Sequence, residues 1–226
     1  MLVNPNNPTG SYVKHAELDF LSRMGVPLIS DEVFSDYAFA PDDSRVTLVA
    51  CAVDDRLSFS MSGLSKIAGL PQMKLGWIVA GGPEQLRREA MEKLEWIADT
   101  YLSVSTPVQC AAAQLLDAGS RVREQIRART AANLAFAREA LAGSASNILN
   151  VEGGWYITIQ VPRIRGEEEW ALELLSREDV LVQPGFFFDF ESEAFLVASL
   201  LTAPAIFREG TRRLRRLVDR DWRPAA

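Results

Sequence analysis

The chain has 226 residues, of which 48% are hydrophobic, and it carries a formal net charge of −6. This length and apolar content suffice for a globular fold with one large domain, or with a smaller domain beside it. The acidic balance argues against nucleic acid as a partner, because phosphates attract basic faces and repel acidic ones.

Neither a membrane nor export is indicated by the sequence. The apolar runs fall short of the roughly 20 residues that cross a bilayer, and the first residues lack the basic and then apolar pattern of a signal peptide. We therefore expect a cytoplasmic protein. Cys51 and Cys110 have neither metal-ligand nor Cys-x-x-Cys spacing, so we expect both to be reduced and packed in the core as small hydrophobes.

Short apolar runs alternate with helical patterns in the first part of the chain. Strands are predicted at residues 1–4, 26–30, 57–60 and 75–80, with helices at 14–24 and 83–98. Such alternation is typical of an α/β fold in which helices cover a mostly parallel sheet. Because the first predicted strand begins at Met1, the sheet is expected to be a partial one with open edges.

The second part of the chain has a different pattern. It contains a predicted helix at 105–117, an Ala- and Arg-rich segment at 120–141, strands at 148–151, 155–161, 180–183 and 195–200, and helices at 167–177 and 204–218. We predict that residues 1–140 form part of a large domain with an interdomain helix, and that residues 141–226 form a small α+β domain.

Three short segments contain residue types suited to chemistry, and each also has an ordinary structural explanation. Residues 4–10, Asn-Pro-Asn-Asn-Pro-Thr-Gly, put side-chain amides at a strand's carboxyl end, where α/β sheets bind ligands, or form a plain surface loop. Asp31 follows an apolar strand and is either a partly buried anion in need of a cation or a helix N-cap with Glu32 in the first turn.

The third segment surrounds a lysine. Lys66 ends the run Ser-Gly-Leu-Ser-Lys at residues 62–66 and has apolar neighbours. Desolvation there would favour the neutral amine, which can form a Schiff base. The alternative is a solvated surface lysine.

In order and spacing, the three segments resemble the class I/II aminotransferase family, which belongs to the fold-type-I enzymes that depend on pyridoxal 5′-phosphate (PLP). Members have an Asn-Pro-x-Asn-Pro-Thr-Gly loop, an Asp-Glu strand end and a Ser/Gly-rich segment around the cofactor lysine. Residues 152–156, Glu-Gly-Gly-Trp-Tyr, and residues 180–185, Val-Leu-Val-Gln-Pro-Gly, resemble two segments of that family's small domain. The resemblance extends over nearly the whole chain.

The resemblance implies a role for each matching residue. Lys66 would hold PLP as a Schiff base and move the substrate proton, Asp31 would pair with the pyridine nitrogen, and Asn7 would bond the 3′ oxygen. Ser65 and Lys74 would hold the phosphate, with Ser62 a weaker candidate. The implied reaction transfers an amino group between an amino donor and a 2-oxo acid, in an enzyme that is usually a homodimer.

Several positions depart from the family pattern. Phe34 stands beside the 3′ oxygen where members commonly have a tyrosine, Lys74 replaces an arginine, and Gly63 replaces a hydroxyl residue. The arginine that binds the substrate carboxylate should lie near Val197, and no basic residue occurs there. The carboxylate is then held differently, the substrate is not an ordinary α-amino acid, or activity has been lost.

The resemblance also implies an N-terminal half with a phosphate loop, a ring-stacking aromatic residue and further strands, which this sequence does not contain. We therefore expect an N-terminally truncated chain. Two alternatives to transamination stay open: another fold-type-I reaction, such as that of a C–S lyase or a decarboxylase, and a non-catalytic truncated fragment.

Overall fold

The computed structural model describes residues 1–101 and 103–222. They fold as two compact units, one formed by residues 1–6 and 11–125 and the other by residues 7–10 and those from 126 onward. The division falls within a long helix, so the predicted domain boundary at residue 140 stays a prediction.

The first unit is built on a four-stranded sheet. Its strands are β1 (Leu2–Val3), β2 (Leu28–Asp31), β3 (Ser58–Gly63) and β4 (Gly76–Gly81), in that spatial order. β1, β2 and β3 run parallel, and β4 is antiparallel to β3. The predicted α/β class with a mainly parallel sheet is confirmed.

Helices follow each strand of this unit. They are α1 (His15–Ser22), α2 (Val49–Ala52), α3 (Leu64–Ile67), α4 (Glu84–Tyr101) and α5 (Thr106–Ala140). A cluster of buried side chains, Leu18, Leu28, Val46, Val49 and Val53, packs α1 and α2 with β2. Burial of such aliphatic side chains is the main source of stability for these short elements.

α5 includes nearly all of the helix predicted at 105–117 and most of the Ala- and Arg-rich segment at 120–141. It is one helix of 35 residues. Gly119 does not end it, although glycine costs about 1 kcal/mol relative to alanine in a helix interior. A Cβ atom at Gly119 would lie 2.4 Å from the Cβ atom of Ala68, so the glycine allows this close approach.

The second unit contains an antiparallel sheet in the order β5-β6-β8-β7. Its strands are β5 (Asn147–Ile148), β6 (Tyr156–Gln160), β7 (Gln183–Pro184) and β8 (Phe195–Ser199), and its helices are α6 (Glu167–Glu178) and α7 (Pro204–Asp221). The strand predicted at 180–183 is therefore limited to its last residue and Pro184.

The prediction that both cysteines are core residues is wrong, because Cys51 and Cys110 are exposed free thiols. Cys51 lies in α2, whose buried residues are Val49 and Ala50. Hydrophobic character does not decide burial on a short helix with one covered face.

Trp170 of α6 is the largest fully buried side chain of the second unit, with 0% of its surface exposed. Its indole Nε1 donates a hydrogen bond to the Pro162 carbonyl at 3.0 Å, and the Arg165 guanidinium lies 4.4 Å from the ring centroid. These contacts anchor α6 in the core of the second unit.

We expect Trp170→Ala to lower the free energy of unfolding by about 3–5 kcal/mol, because it leaves a large cavity. Trp96→Ala, which removes an indole that is 75% exposed on α4, should change it by no more than about 0.5 kcal/mol. Urea unfolding followed by circular dichroism measures both. Equal losses would contradict the assignment of Trp170 to the core.

Candidate active site

Asp31 is the last residue of β2, at the carboxyl end of the parallel strands. Its Cα pairs in register with Val3 of β1 and Met61 of β3. Its side chain is partly exposed, and Oδ1 accepts a hydrogen bond from the Val33 amide at 3.1 Å. Asp31 thus caps the turn after β2 and leaves carboxylate surface for a ligand.

Glu32 is the buried carboxylate of this region, which the sequence analysis did not anticipate. It is 2% exposed, and its Oε1 accepts hydrogen bonds from the Val49 amide and the Ser60 hydroxyl, both at 2.9 Å. Burial raises its pKa above the usual value of 4.5, although these donors oppose the shift. The next helical element is a short 3₁₀ turn at Ser35–Tyr37, so Glu32 is not in the first turn of a helix.

Lys66 lies in α3, a single turn that directly follows β3. Its side chain is partly exposed, and its Nζ is 5.6 Å from the centroid of the Phe34 ring. Phe34 is 5% exposed. An aromatic ring at this distance attracts an ammonium group, so the ring holds the lysine head over the turn that follows Asp31.

Ser65 and Lys74 lie near the two ends of the segment that connects β3 to β4. Ser65 is partly exposed beside Lys66, and Lys74 is exposed. Lys74 has a left-handed backbone, φ 51°, directly after the 3₁₀ turn Pro71–Met73. The Leu64 amide donates to the Leu75 carbonyl at 3.0 Å, which brings the segment with Lys74 back alongside α3.

Gly63 explains part of this geometry. A Cβ atom there would lie 2.8 Å from the Leu75 carbonyl oxygen. A larger residue at position 63 would push the end of β3 away from the segment that contains Leu75. The glycine that stands here in place of the family's hydroxyl residue therefore allows a close backbone contact.

Asn7 belongs to the second unit, where its side chain is exposed. The loop around it is fixed at Gly10, whose carbonyl accepts hydrogen bonds from the Glu152 and Gly153 amides at 3.1 Å each. Gly10 has φ +72°, a conformation that favours glycine. The first unit therefore contains Asp31, Phe34, Ser65, Lys66 and Lys74, and the roles of these residues and of Asn7 stay predictions.

Val197 is buried in β8, with 2% of its surface exposed. It pairs with Thr158 of β6 and Gln183 of β7. The five residues of β8, Phe-Leu-Val-Ala-Ser, include no basic side chain. The arginine that the resemblance leads one to expect near this position has no counterpart within the strand.

The donor set of the first unit matches the chemistry of PLP. The cofactor has an aldehyde that reacts with an amine, a ring nitrogen that pairs with a carboxylate, and a phosphate that binds cations and hydroxyls. Lys66, Asp31, Lys74 and Ser65 supply one group of each kind. Asp31 is at the carboxyl end of β2 and Lys66 lies just after that of β3. The carboxyl ends of strands are the usual ligand position in α/β sheets.

Two other classes of site are not found in residues 1–101 and 103–222. Within this range no three His, Cys, Asp or Glu side chains are grouped so that they could hold a metal ion. Nor does any described helix combine the length and the apolar character needed to cross a membrane.

Comparison with known proteins gives consistent matches. The family model described as "Aminotransferase class I and II" matches residues 1–202. The glutamate-pyruvate aminotransferase AlaA of Haemophilus influenzae is 27% identical over 206 residues, which are 85% of this chain and 50% of that protein. AlaA of Escherichia coli strain K12 is 29% identical over 115 residues, 49% of this chain and 28% of that protein. The chain thus spans half or less of these relatives.

Solved structures support the fold. The alanine aminotransferase from Pyrococcus furiosus superposes with a TM-score of 0.81 at 24% identity, over 97% of this chain and 57% of that one. An aminotransferase from Escherichia coli superposes with a TM-score of 0.80 at 22% identity, over 96% and 56%.

The raised pKa of Glu32 predicts a pH dependence of stability. A carboxyl group whose pKa is raised in the folded state stabilises the fold fully below its unfolded pKa, and this contribution is lost as the pH rises through the folded pKa. Glu32→Gln keeps the acceptor oxygen and does not titrate. The unfolding free energy of Glu32→Gln minus that of the unmodified chain should therefore rise as the pH is raised above 4.5, the usual pKa of the group.

Glu92→Gln is the matched control, because Glu92 is an exposed glutamate of α4. Denaturant unfolding across the pH series measures all three proteins. If the Glu32→Gln difference is flat, or falls with pH, burial does not raise the pKa of Glu32.

Proposed function

We propose that this chain, which belongs to the aminotransferase class I and II family, takes part in PLP-dependent transamination between an amino donor and a 2-oxo acid. The observation that carries the proposal is the grouping of Lys66 after β3 with Asp31 at the end of β2. An amine and a carboxylate at adjacent strand ends are the two side chains that this chemistry requires most.

Lys66 is proposed to hold PLP through its side-chain amine and to move a proton once substrate takes its place. When bound, PLP supplies an electron-accepting ring that stabilises negative charge on the substrate Cα. The lysine amine would take the proton from the substrate Cα and deliver it to the C4′ carbon of the cofactor. A positioned general base of this kind contributes about 10²–10⁴ in rate.

Asp31 is proposed to accept a hydrogen bond from the protonated ring nitrogen. A carboxylate next to a cationic group favours the charged form of both partners. Asp31 is suited to this role because it is tied to the Val33 amide through Oδ1, which fixes its direction without burying it.

The remaining contacts are proposed to fix the cofactor in place. The Ser65 hydroxyl and the Lys74 ammonium would bind the phosphate. Phe34 would offer the 3′ oxygen of the cofactor an apolar face instead of a hydroxyl group. A lysine binds phosphate as a point charge, without the bidentate geometry of arginine.

Partners and location follow from the family and are part of the proposal. We propose a homodimer in the cytoplasm, with small-molecule amino donors and 2-oxo acids as substrates and neither nucleic acid nor a membrane as partner. The name of the Haemophilus influenzae relative assigns glutamate and pyruvate to that protein, so this pair is the first to test.

A second candidate reaction is elimination or decarboxylation on the same cofactor. The observation in its favour is the buried Val197 in a strand without a basic residue, since the substrate carboxylate would then be bound less firmly.

Adduct mapping tests the cofactor site. PLP added to the purified chain and fixed with borohydride should label Lys66, identified by peptide mass spectrometry. Lys66→Ala should abolish this label, and Lys93→Ala, which removes an exposed lysine of α4, should not. Absence of a label on Lys66 in the unmodified chain would leave the non-catalytic alternative.

Product analysis separates the two reactions. A transaminase half-reaction with glutamate should convert bound PLP to pyridoxamine phosphate in stoichiometric amount, with 2-oxoglutarate released. A lyase or decarboxylase returns the aldehyde form of the cofactor. Chromatography of the released cofactor measures the ratio, and recovery of PLP alone together with a cleaved substrate contradicts transamination.

A further inference from the structure

The hydroxyl group that Phe34 lacks occurs three residues later, on Tyr37. Tyr37 is 1% exposed, and its hydroxyl donates a hydrogen bond to the main-chain carbonyl of Lys66 at 2.6 Å. Lys66 therefore receives two aromatic contacts from one short segment, the Phe34 ring at its head and the Tyr37 hydroxyl at its backbone.

α3 needs such support because it is only four residues long. A single turn has little intrinsic stability, since nucleation is unfavourable and its end carbonyls lack helical donors. The Gly69 amide approaches the Lys66 carbonyl only to 3.4 Å. The hydrogen bond from the Tyr37 hydroxyl to the Lys66 carbonyl is thus shorter than the one from the Gly69 amide.

A second element contacts the same segment. Gly119 of α5 approaches Ala68 so closely that a Cβ atom would lie 2.4 Å from the Ala68 Cβ atom. α5 also contacts the Tyr37 turn, where Arg123 pairs with Asp36 at 3.7 Å. The Lys66 segment therefore has contacts with both the Tyr37 turn and α5.

We infer that Tyr37 is a positioning residue that fixes the backbone of Lys66 and so directs its amine over the Phe34 ring. The inference rests on the proposed role of Lys66, which it deepens. Burial, together with the neighbouring Asp36, raises the pKa of Tyr37 to about 12, so the phenol stays a proton donor at neutral pH.

Tyr37→Phe removes one oxygen and keeps the ring, and Tyr12→Phe is its matched control. Tyr12 is 5% exposed, and its hydroxyl also donates to a main-chain carbonyl, that of Ser35 at 2.9 Å. Both variants lose one hydrogen bond of the same kind within the first unit. Only Tyr37→Phe loses a bond to Lys66.

Two measurements on the chain without PLP give the readout. Amide hydrogen exchange of the peptide covering residues 64–70 should be about three- to tenfold faster in Tyr37→Phe than in Tyr12→Phe, the factor expected for one net hydrogen bond. Competitive acetylation should label Lys66 faster relative to Lys93 in Tyr37→Phe alone, since the amine is less confined. Circular dichroism establishes that both variants are folded.

If exchange and acetylation at Lys66 are the same in Tyr37→Phe as in the unmodified chain, Tyr37 has only a structural role and the inference is wrong. This outcome is distinct from a failure of the proposed function, because neither readout involves the cofactor. The unmodified chain could form no PLP adduct while Tyr37→Phe still speeds exchange and acetylation at Lys66. Tyr37 would then still position Lys66, and the proposed catalytic role of Lys66 would be wrong.

Discussion

The buried carboxylate of Glu32 connects the elements on which the candidate site depends. One oxygen, Oε1, accepts hydrogen bonds from the Ser60 hydroxyl in β3 and from the first amide of α2. Ser60 in turn accepts from the Ala50 amide at 2.9 Å. Burying a carboxyl group is costly unless it is hydrogen-bonded, and these donors offset the cost while they fasten the end of β2 to its neighbour.

Asn4 performs a comparable role at β1. It is fully buried, its amide nitrogen donates to the Val46 carbonyl and its oxygen accepts from the Val13 amide, both at 2.9 Å. Polar side chains under the strand ends thus satisfy buried backbone groups of the surrounding loops. These interior residues lie next to the strand ends near which Asp31 and Lys66 are placed, and both of those side chains are partly exposed.

Much of this arrangement could be predicted from the sequence. The strands before Asp31 and Lys66 have strong apolar patterns, and the motif spacing marks both residues. Asp31 is partly exposed, as one of its two interpretations had it, but the sequence does not identify Glu32 as the fully buried carboxylate, because the two residues are adjacent and tertiary packing decides which one turns inward. The Tyr37 bond joins residues 29 positions apart, and no local pattern contains such a contact.

Other misjudged features have the same origin. The apolar run of β4 does not reveal that it pairs antiparallel to β3. The helix predicted at 105–117 continues through Gly119, and the close approach of Ala68 explains the glycine inside α5. The exposure of Cys51 depends on which face of a four-residue helix is covered. In each case a contact distant in sequence decides a local outcome.

Lys66 and Asp31 are proposed to act on one bound molecule, and a crystal of the chain soaked with PLP tests this through difference electron density. We expect density continuous with the Lys66 Nζ atom and a ring nitrogen within hydrogen-bonding distance of the Asp31 carboxylate. Density attached to another lysine, or a ring at Lys66 that points away from Asp31, would show that the two residues do not act together.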